Sequence, residues 1–219
     1  MPVLSGNGTG WYRLARRVAF LQGGALGNRT AVRFSLPAVL RPVFFGGLVL
    51  HIESLIRAIP DFPIPGILFR DITPLLKDAG GFKATVDLFV DRFRHEQIDY
   101  IVAMEARGYM LGAPLAYALG AGFVPVRKPG KLPGSKYVEE YALEYGVNSL
   151  EIHDDAVSAG HRVLVVDDLL ATGGTAAATG RLLAKLGADV IGYAFLIELA
   201  ALRGRDALPG AVVTSFITY

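Results

Sequence analysis

The chain has 219 residues, 52% of them hydrophobic, which is enough for one sizeable core and unlike a disordered or low-complexity segment. It contains no cysteine, so a disulfide framework, a thiolate metal site and a cysteine nucleophile are all excluded. The net charge of +2 conceals a division. Residues 1–52 hold six arginines and no acid, whereas the remainder carries 16 basic against 20 acidic residues, a body at −4 that lacks the basic stripe of a nucleic-acid binder.

In chain order, residues 1–51 read as an atypical Arg-rich, acid-free extension. Organellar transit segments share that composition, and so does a GC-rich gene whose translation start is assigned too far upstream; the second reading is favoured, and a cytoplasmic location is expected with organellar targeting left open. The apolar stretch Val43 to Leu50 is far shorter than the ~20 residues that cross a bilayer, and no membrane association is expected. A catalytic domain is expected over residues 52–219. It opens with a short helix at Glu53–Ala58 and a stiff loop punctuated by Pro60, Pro63, Pro65 and Pro74. Phe82, Val86, Phe89, Val90 and Phe93 recur at helical spacing and predict a helix packed on a core. There follow the apolar run Tyr100–Met104, a helix over Leu111–Leu119 and the runs Phe123–Val126 and Val163–Val166. A helix from about Thr175 to Leu186, ended by Gly187, and the run Val190–Leu196 complete the series. Short apolar runs alternating with helices predict an α/β fold with a central, mostly parallel sheet flanked by helices. Ligands of such sheets sit beyond the carboxyl ends of the strands.

The strongest local signal is VLVVDDLLATGGT, Val163–Thr175. Its apolar run meets Asp167 and Asp168, acids that a buried central strand does not tolerate, so the pair is expected at the strand's exposed carboxyl end. Gly173 and Gly174 let successive amides of Ala171 to Thr175 turn inward, and Thr172 and Thr175 add hydroxyls where a helix begins, which is a phosphate cradle. The two carboxylates would repel that phosphate and therefore need another partner, such as sugar hydroxyls or a hydrated magnesium ion. Phosphate beside a diol points to a ribose phosphate. No Gly-Lys-Ser or Gly-Lys-Thr sequence occurs, which removes a Walker-type nucleotide loop. A second charged turn, Glu105-Ala106-Arg107-Gly108, follows Tyr100–Met104. Arg107 offers a bidentate fork to a diphosphate, and Arg127 and Lys131 add charge after the next strand.

The Val163–Thr175 stretch resembles the signature of type I phosphoribosyltransferases. Further segments make the resemblance one to adenine phosphoribosyltransferases: FPIPGILFRDITPLLKD at Phe62–Asp78, ARGYMLGAPLA at Ala106–Ala116, VRKPGKLPG at Val126–Gly134, LEYG at Leu143–Gly146 and LEIHDDA at Leu150–Ala156. The likeness runs from about residue 52 to the end. It implies a small N-terminal hood in which Phe69 stacks on a purine while the backbones of Leu68 and Arg70 read its edge. It also implies a cis peptide opening the Glu105-Ala106 loop, and ribose contacts from Asp167 and Asp168. Leu132–Gly146, too polar for a core element, is expected as a flexible lid that brings Glu144 as general acid/base and Tyr145 as its shielding partner. The implied reaction joins adenine to the ribosyl group of phosphoribosyl pyrophosphate, with Mg2+ held by the substrate and not directly by protein, in a homodimer. Two rival readings are a transferase for another purine and a non-catalytic sensor of phosphoribosyl pyrophosphate. Tyr109, where phenylalanine is common in the family, requires a partner for its hydroxyl.

Overall fold

A computed structural model describes residues 49, 51–142 and 147–219. A five-stranded sheet forms the centre, in the order β4 (Gly122–Val126), β3 (Tyr100–Met104), β7 (Arg162–Leu170), β8 (Asp189–Glu198) and β9 (Val213–Thr218), and every neighbouring pair is parallel. The period-two alternation of β7 decides the layers. Leu164 and Val166 face one core with Ile101, Phe89 and Leu111, while Val163 and Val165 face the other with Val102, Phe195 and Leu182. Helices α2 (Ala79–Phe93) and α3 (Arg107–Leu119) cover the first face, and α4 (Gly174–Lys185) covers the second. Each fully buried aliphatic or aromatic side chain contributes roughly 1.5–3 kcal/mol, so both layers are bound mainly by apolar burial.

Local chemistry sets the element ends. Helix α2 begins where the Asp78 side chain accepts from the Gly81 amide at 2.7 Å, an N-cap worth about 1 kcal/mol. Its deepest stripe is Gly81, Thr85, Leu88, Phe89 and Phe93; Phe82 and Val90, expected on that stripe, pack only partly buried against it. The helix expected at Glu53–Ala58 lies earlier, at residues 51–54, and Arg57–Ile59 is instead strand β1, paired antiparallel with β2 (Phe69–Asp71). Arg57 draws the pair together by donating to the buried Asp71 carboxylate at 2.6 Å. This two-stranded hood precedes the short helix α1 (Thr73–Lys77).

Two expectations about the lid and the acid pair are corrected. Much of the segment expected as a lid loop is strand: β5 (Lys136–Ala142) pairs antiparallel with β6 (Val147–His153) as a two-stranded ribbon. Glu139 ties it to α4 through Arg181 at 2.5 Å and Lys185 at 2.7 Å, so polar side chains do the anchoring that the composition seemed to deny. Glu144 and Tyr145 lie outside the described residues. Strand β7 does not stop at Val166. It continues through both acids to Leu170, in register with β8 up to Leu170 opposite Glu198. What stops is its other neighbour: β3 pairs with β7 only as far as Ala103 opposite Val166. Residues 167–170 therefore overhang β3 and are bonded along one edge alone.

Candidate active site

The overhang forms the floor of a cavity of about 520 Å³ lined by Asp167 to Ala176, by the turn Met104 to Arg107, and by Phe69, Lys128, Tyr141, Asn148 and Phe195. Two helices begin on it, α3 at Arg107 and α4 at Gly174, and neither has a side-chain cap on its first turn. Uncapped N-terminal amides carry the positive end of the helix dipole, so both ends favour an anion here. Gly173 has φ 80°, and a Cβ on it would run into the carbonyl oxygen of Gly204. The turn therefore needs glycine for its conformation and for its close approach. At the other turn the peptide bond between Glu105 and Ala106 is cis. A Cβ on Gly108 would stand 2.8 Å from Asp167 Oδ1, so this glycine admits α3 to the end of β7.

The acid pair is crowded and largely out of water. Asp168 is 3% exposed, and its amide donates to Asp167 Oδ1 at 2.9 Å. Burial pushes both carboxyls above the usual range. Asp167 goes well above it, with the neighbouring charge of Asp168 as the second cause, and Arg107 partly offsets the rise at Asp168. Arg107 Nε lies 2.9 Å from Asp168 Oδ2, yet that buried oxygen makes no hydrogen bond. The same guanidinium stands 5.4 Å from the centre of the Phe69 ring, and Phe62 meets that ring edge-on at 5.1 Å. Arg107 thus spans from the acid pair to the hood.

Three other cations meet different fates. Arg127 and Lys131 both pair with Glu105, at 3.2 and 2.5 Å, while Lys128 between them lines the cavity. The Lys131 hydrogen bond, opposed by burial and joined by Lys128 N–H and Arg127, brings the Glu105 carboxyl down to about 2. A depressed carboxylate stabilises the fold above its ordinary value of 4.5 and loses that contribution as pH falls towards 2. Glu105→Gln is accordingly expected to melt below the wild-type protein at pH 7 and to approach it at pH 3. Equal melting differences at both values would refute this account of Glu105. Of the hood residues, Phe69 faces the cavity, Leu68 is 47% exposed, and the Arg70 guanidinium stacks 3.5 Å above the Tyr219 ring. Tyr109 finds its partner in the Val126 carbonyl at 2.9 Å. Tyr141 and Asn148, neither anticipated, arrive from the ribbon, and the Tyr141 hydroxyl is 3.5 Å from Thr175 Oγ1. Among the described residues no cluster of three or more His, Cys, Asp or Glu side chains is grouped to hold a metal ion.

Residues 75–213 match the family described as the phosphoribosyl transferase domain. An adenine phosphoribosyltransferase of Acaryochloris marina is 58% identical over 170 residues, covering 78% of this chain and 100% of that protein. The chain belongs to the adenine phosphoribosyltransferase family. Solved family structures agree in fold. The enzyme of Thermoanaerobacter pseudethanolicus superposes with a TM-score of 0.77 at 53% identity, over 78% of this chain and 99% of that one. The enzyme of Saccharomyces cerevisiae, crystallised with adenine and an imino-altritol bisphosphate, gives 0.75 at 42% identity over 78% and 99%. The expected parallel sheet, hood and family membership therefore hold. No helix among the described residues is long and apolar enough to cross a membrane.

Proposed function

We infer that this protein transfers the 5-phosphoribosyl group of phosphoribosyl pyrophosphate to adenine, releasing pyrophosphate and forming AMP, as a step of purine salvage. The observation that carries the reading is the convergence, in one cavity, of an uncapped glycine turn, a buried acid pair and the hood aromatic Phe69. In this reading Ala171 to Thr175 hold the 5-phosphate, and Asp167 and Asp168 bind the ribose hydroxyls, whose hydrogen bonds would go to the Asp168 oxygen that has an ion-pair partner in Arg107 but no hydrogen bond. Phe69 stacks on adenine while the Leu68 and Arg70 backbones read its edge. Arg107 and Lys128 meet the diphosphate directly. Arg127 and Lys131 reach it only by leaving Glu105.

Adenine attacks the anomeric carbon as the bond to pyrophosphate breaks, inverting that carbon through an oxocarbenium-like transition state. Positioning governs such a reaction more than covalent help does. The acid pair lies close to the carbon that becomes positive, and the cations lie on the side that becomes negative. Magnesium would arrive on the donor, with the Asp167 and Asp168 carboxylates beside it, and would add positive charge to the leaving diphosphate. By resemblance Glu144 handles the proton of the purine and Tyr145 shields the centre. The domain spans residues 52–219, with 1–51 as an extension, and the protein works in the cytoplasm as a homodimer.

Pyrophosphate release tested with adenine, guanine, hypoxanthine and orotate, each with donor and magnesium, checks the assignment. Release with adenine alone is expected, both from the full chain and from a chain starting at residue 52. Release with a 6-oxo purine instead would move the substrate, and donor binding without turnover would make the protein a sensor. Phe69→Ala is expected to raise the KM for adenine by about tenfold to a hundredfold, the usual worth of one base stack, with the donor KM unchanged. An equal rise in both constants would mean that Phe69 supports the cavity and does not read the base.

A further inference from the structure

The segment that follows β8 has no role in the chemistry above, yet it touches the phosphate turn from behind. Two short 3-10 turns, Ala200–Leu202 and Gly204–Ala207, are joined by Arg203 at φ 53°. A Cβ on Gly204 would run into the Ala171 carbonyl oxygen and lie 2.9 Å from the Leu170 side chain. A Cβ on Gly173 meets the same segment from the opposite side, at Gly204 and Ala207. Two backbones are therefore stacked with no side chain between them, and any drift of residues 204–207 is felt directly by residues 171–173.

One ion pair fixes that segment. Arg205 donates from Nε and Nη2 to the two oxygens of the buried Glu198, each at 2.7 Å, and from Nη1 to the Val213 carbonyl at 3.1 Å. Ser215 donates to the same carboxylate and accepts from Arg205 Nη2 at 3.0 Å. Glu198 is in register with Leu170, the residue that enters the phosphate turn, and the Leu199 amide donates to the Leu170 carbonyl at 2.9 Å. The clamp thus joins β8 and β9 to a backstop pressed on the turn. A bidentate fork sets direction as well as distance, which a single hydrogen bond does not.

We propose that Arg205, acting through Glu198 and Gly204, is a positioning residue that sets the phosphate turn for the 5-phosphate of the donor. The inference rests on the reading of Ala171 to Thr175 as the 5-phosphate cradle. Arg205 does not line the cavity, so its loss acts on donor binding through the turn. Arg205→Met is expected to raise the KM for phosphoribosyl pyrophosphate on the order of tenfold to a hundredfold, the scale of a small misplacement transmitted from a distance, and to weaken ribose 5-phosphate binding in calorimetry by the same factor. The KM for adenine and kcat at saturating donor stay unchanged. Arg205→Lys, with one bond in place of two, falls between. Arg162→Met, which breaks the Asp189 pair at the opposite end of the sheet, leaves the donor KM as it was.

An unchanged donor KM in a folded Arg205→Met protein, or donor and adenine constants rising together, would overturn the proposal. If Arg205→Met does not fold, Arg205→Lys and Ser215→Ala decide: a graded rise in donor KM supports the clamp and no rise overturns it. Absence of ribose 5-phosphate binding by the wild-type protein would instead overturn the cradle reading, and the clamp with it. Wild-type binding that the variants share overturns the clamp alone.

Discussion

Asp168→Asn is expected to lose on the order of a hundredfold or more in kcat/KM for the donor while melting at a higher temperature than the wild-type protein. The two effects share one cause. Asp168 sits beside Asp167 with water largely excluded, and burial holds both carboxyls above their ordinary value of 3.8, with the charge of Asp168 adding to the rise at Asp167. A group raised in the folded state contributes stability fully below its ordinary value and loses it as pH rises through the folded one, so at neutral pH the pair works against the fold. The neutral amide removes that opposition and leaves Arg107, 38% exposed, free to turn to water. A gain of about 1 kcal/mol corresponds to roughly 2–4 °C for a domain of this size. Scanning calorimetry of the ligand-free protein at pH 7, together with initial rates at varied donor, checks both. A variant that melts lower would contradict the crowding described for this pair.

Arg107→Met is expected to lose activity on a similar scale, about a hundredfold or more, and to move stability the other way. The methionine keeps much of the apolar stem against Phe69 but strands the Asp168 carboxylate without its cation. Removing one partner of a fully buried pair costs about 3 kcal/mol or more; Arg107 is 38% exposed and water already screens it, so a smaller loss, on the order of 1–2 kcal/mol, is expected here. The loss is largest at neutral pH and shrinks as pH falls, since a carboxyl deprived of its cation titrates higher still. Combining the changes in Arg107→Met/Asp168→Asn should restore the melting temperature and no activity. That pattern separates electrostatic support from substrate contact. Recovery of turnover in the double variant would show that Arg107 serves only to neutralise Asp168.

The order of strand, acids and helix start was legible from consecutive residues, and what depends on a distant partner was not. The Val163 run, the paired acids and the Gly173-Gly174 turn are consecutive, so their order alone announces a strand, a carboxylate face and a helix start. Where the strand ends is a different matter, because the limit of the shared ladder is set by β3, some sixty residues upstream. The cations illustrate the same limit. Arg127, Lys128 and Lys131 look equivalent in sequence, but Glu105 takes the first and third and leaves Lys128 on the cavity. The ribbon at Lys136–His153 was hidden by its composition, since its Tyr and Glu residues suggest a solvated loop until Arg181 and Lys185 of α4 are seen opposite Glu139. Strand β9, at Val213–Thr218, carries Thr and Ser among its apolar residues and gave no strand signal of its own.

The unequal lengths of β3 and β7 have a consequence for how such a protein can change. Residues 167–170 are supported by β8 alone, so the half of the site nearest the phosphate turn belongs to the sheet, while the aromatic half belongs to the β1–β2 hood, a separate small unit with its own Arg57–Asp71 fastening. Arg107 reaches from one half to the other, and the Arg70–Tyr219 stack joins the hood to the end of the sheet as well. On the proposed roles of these residues, specificity for the acceptor can be rewritten within residues 62–70, by mutation or by exchange of the hood, while the acid pair and the Gly173 turn are left as they are. Arg107 and the Arg70–Tyr219 stack are joints at which such a graft would have to be matched.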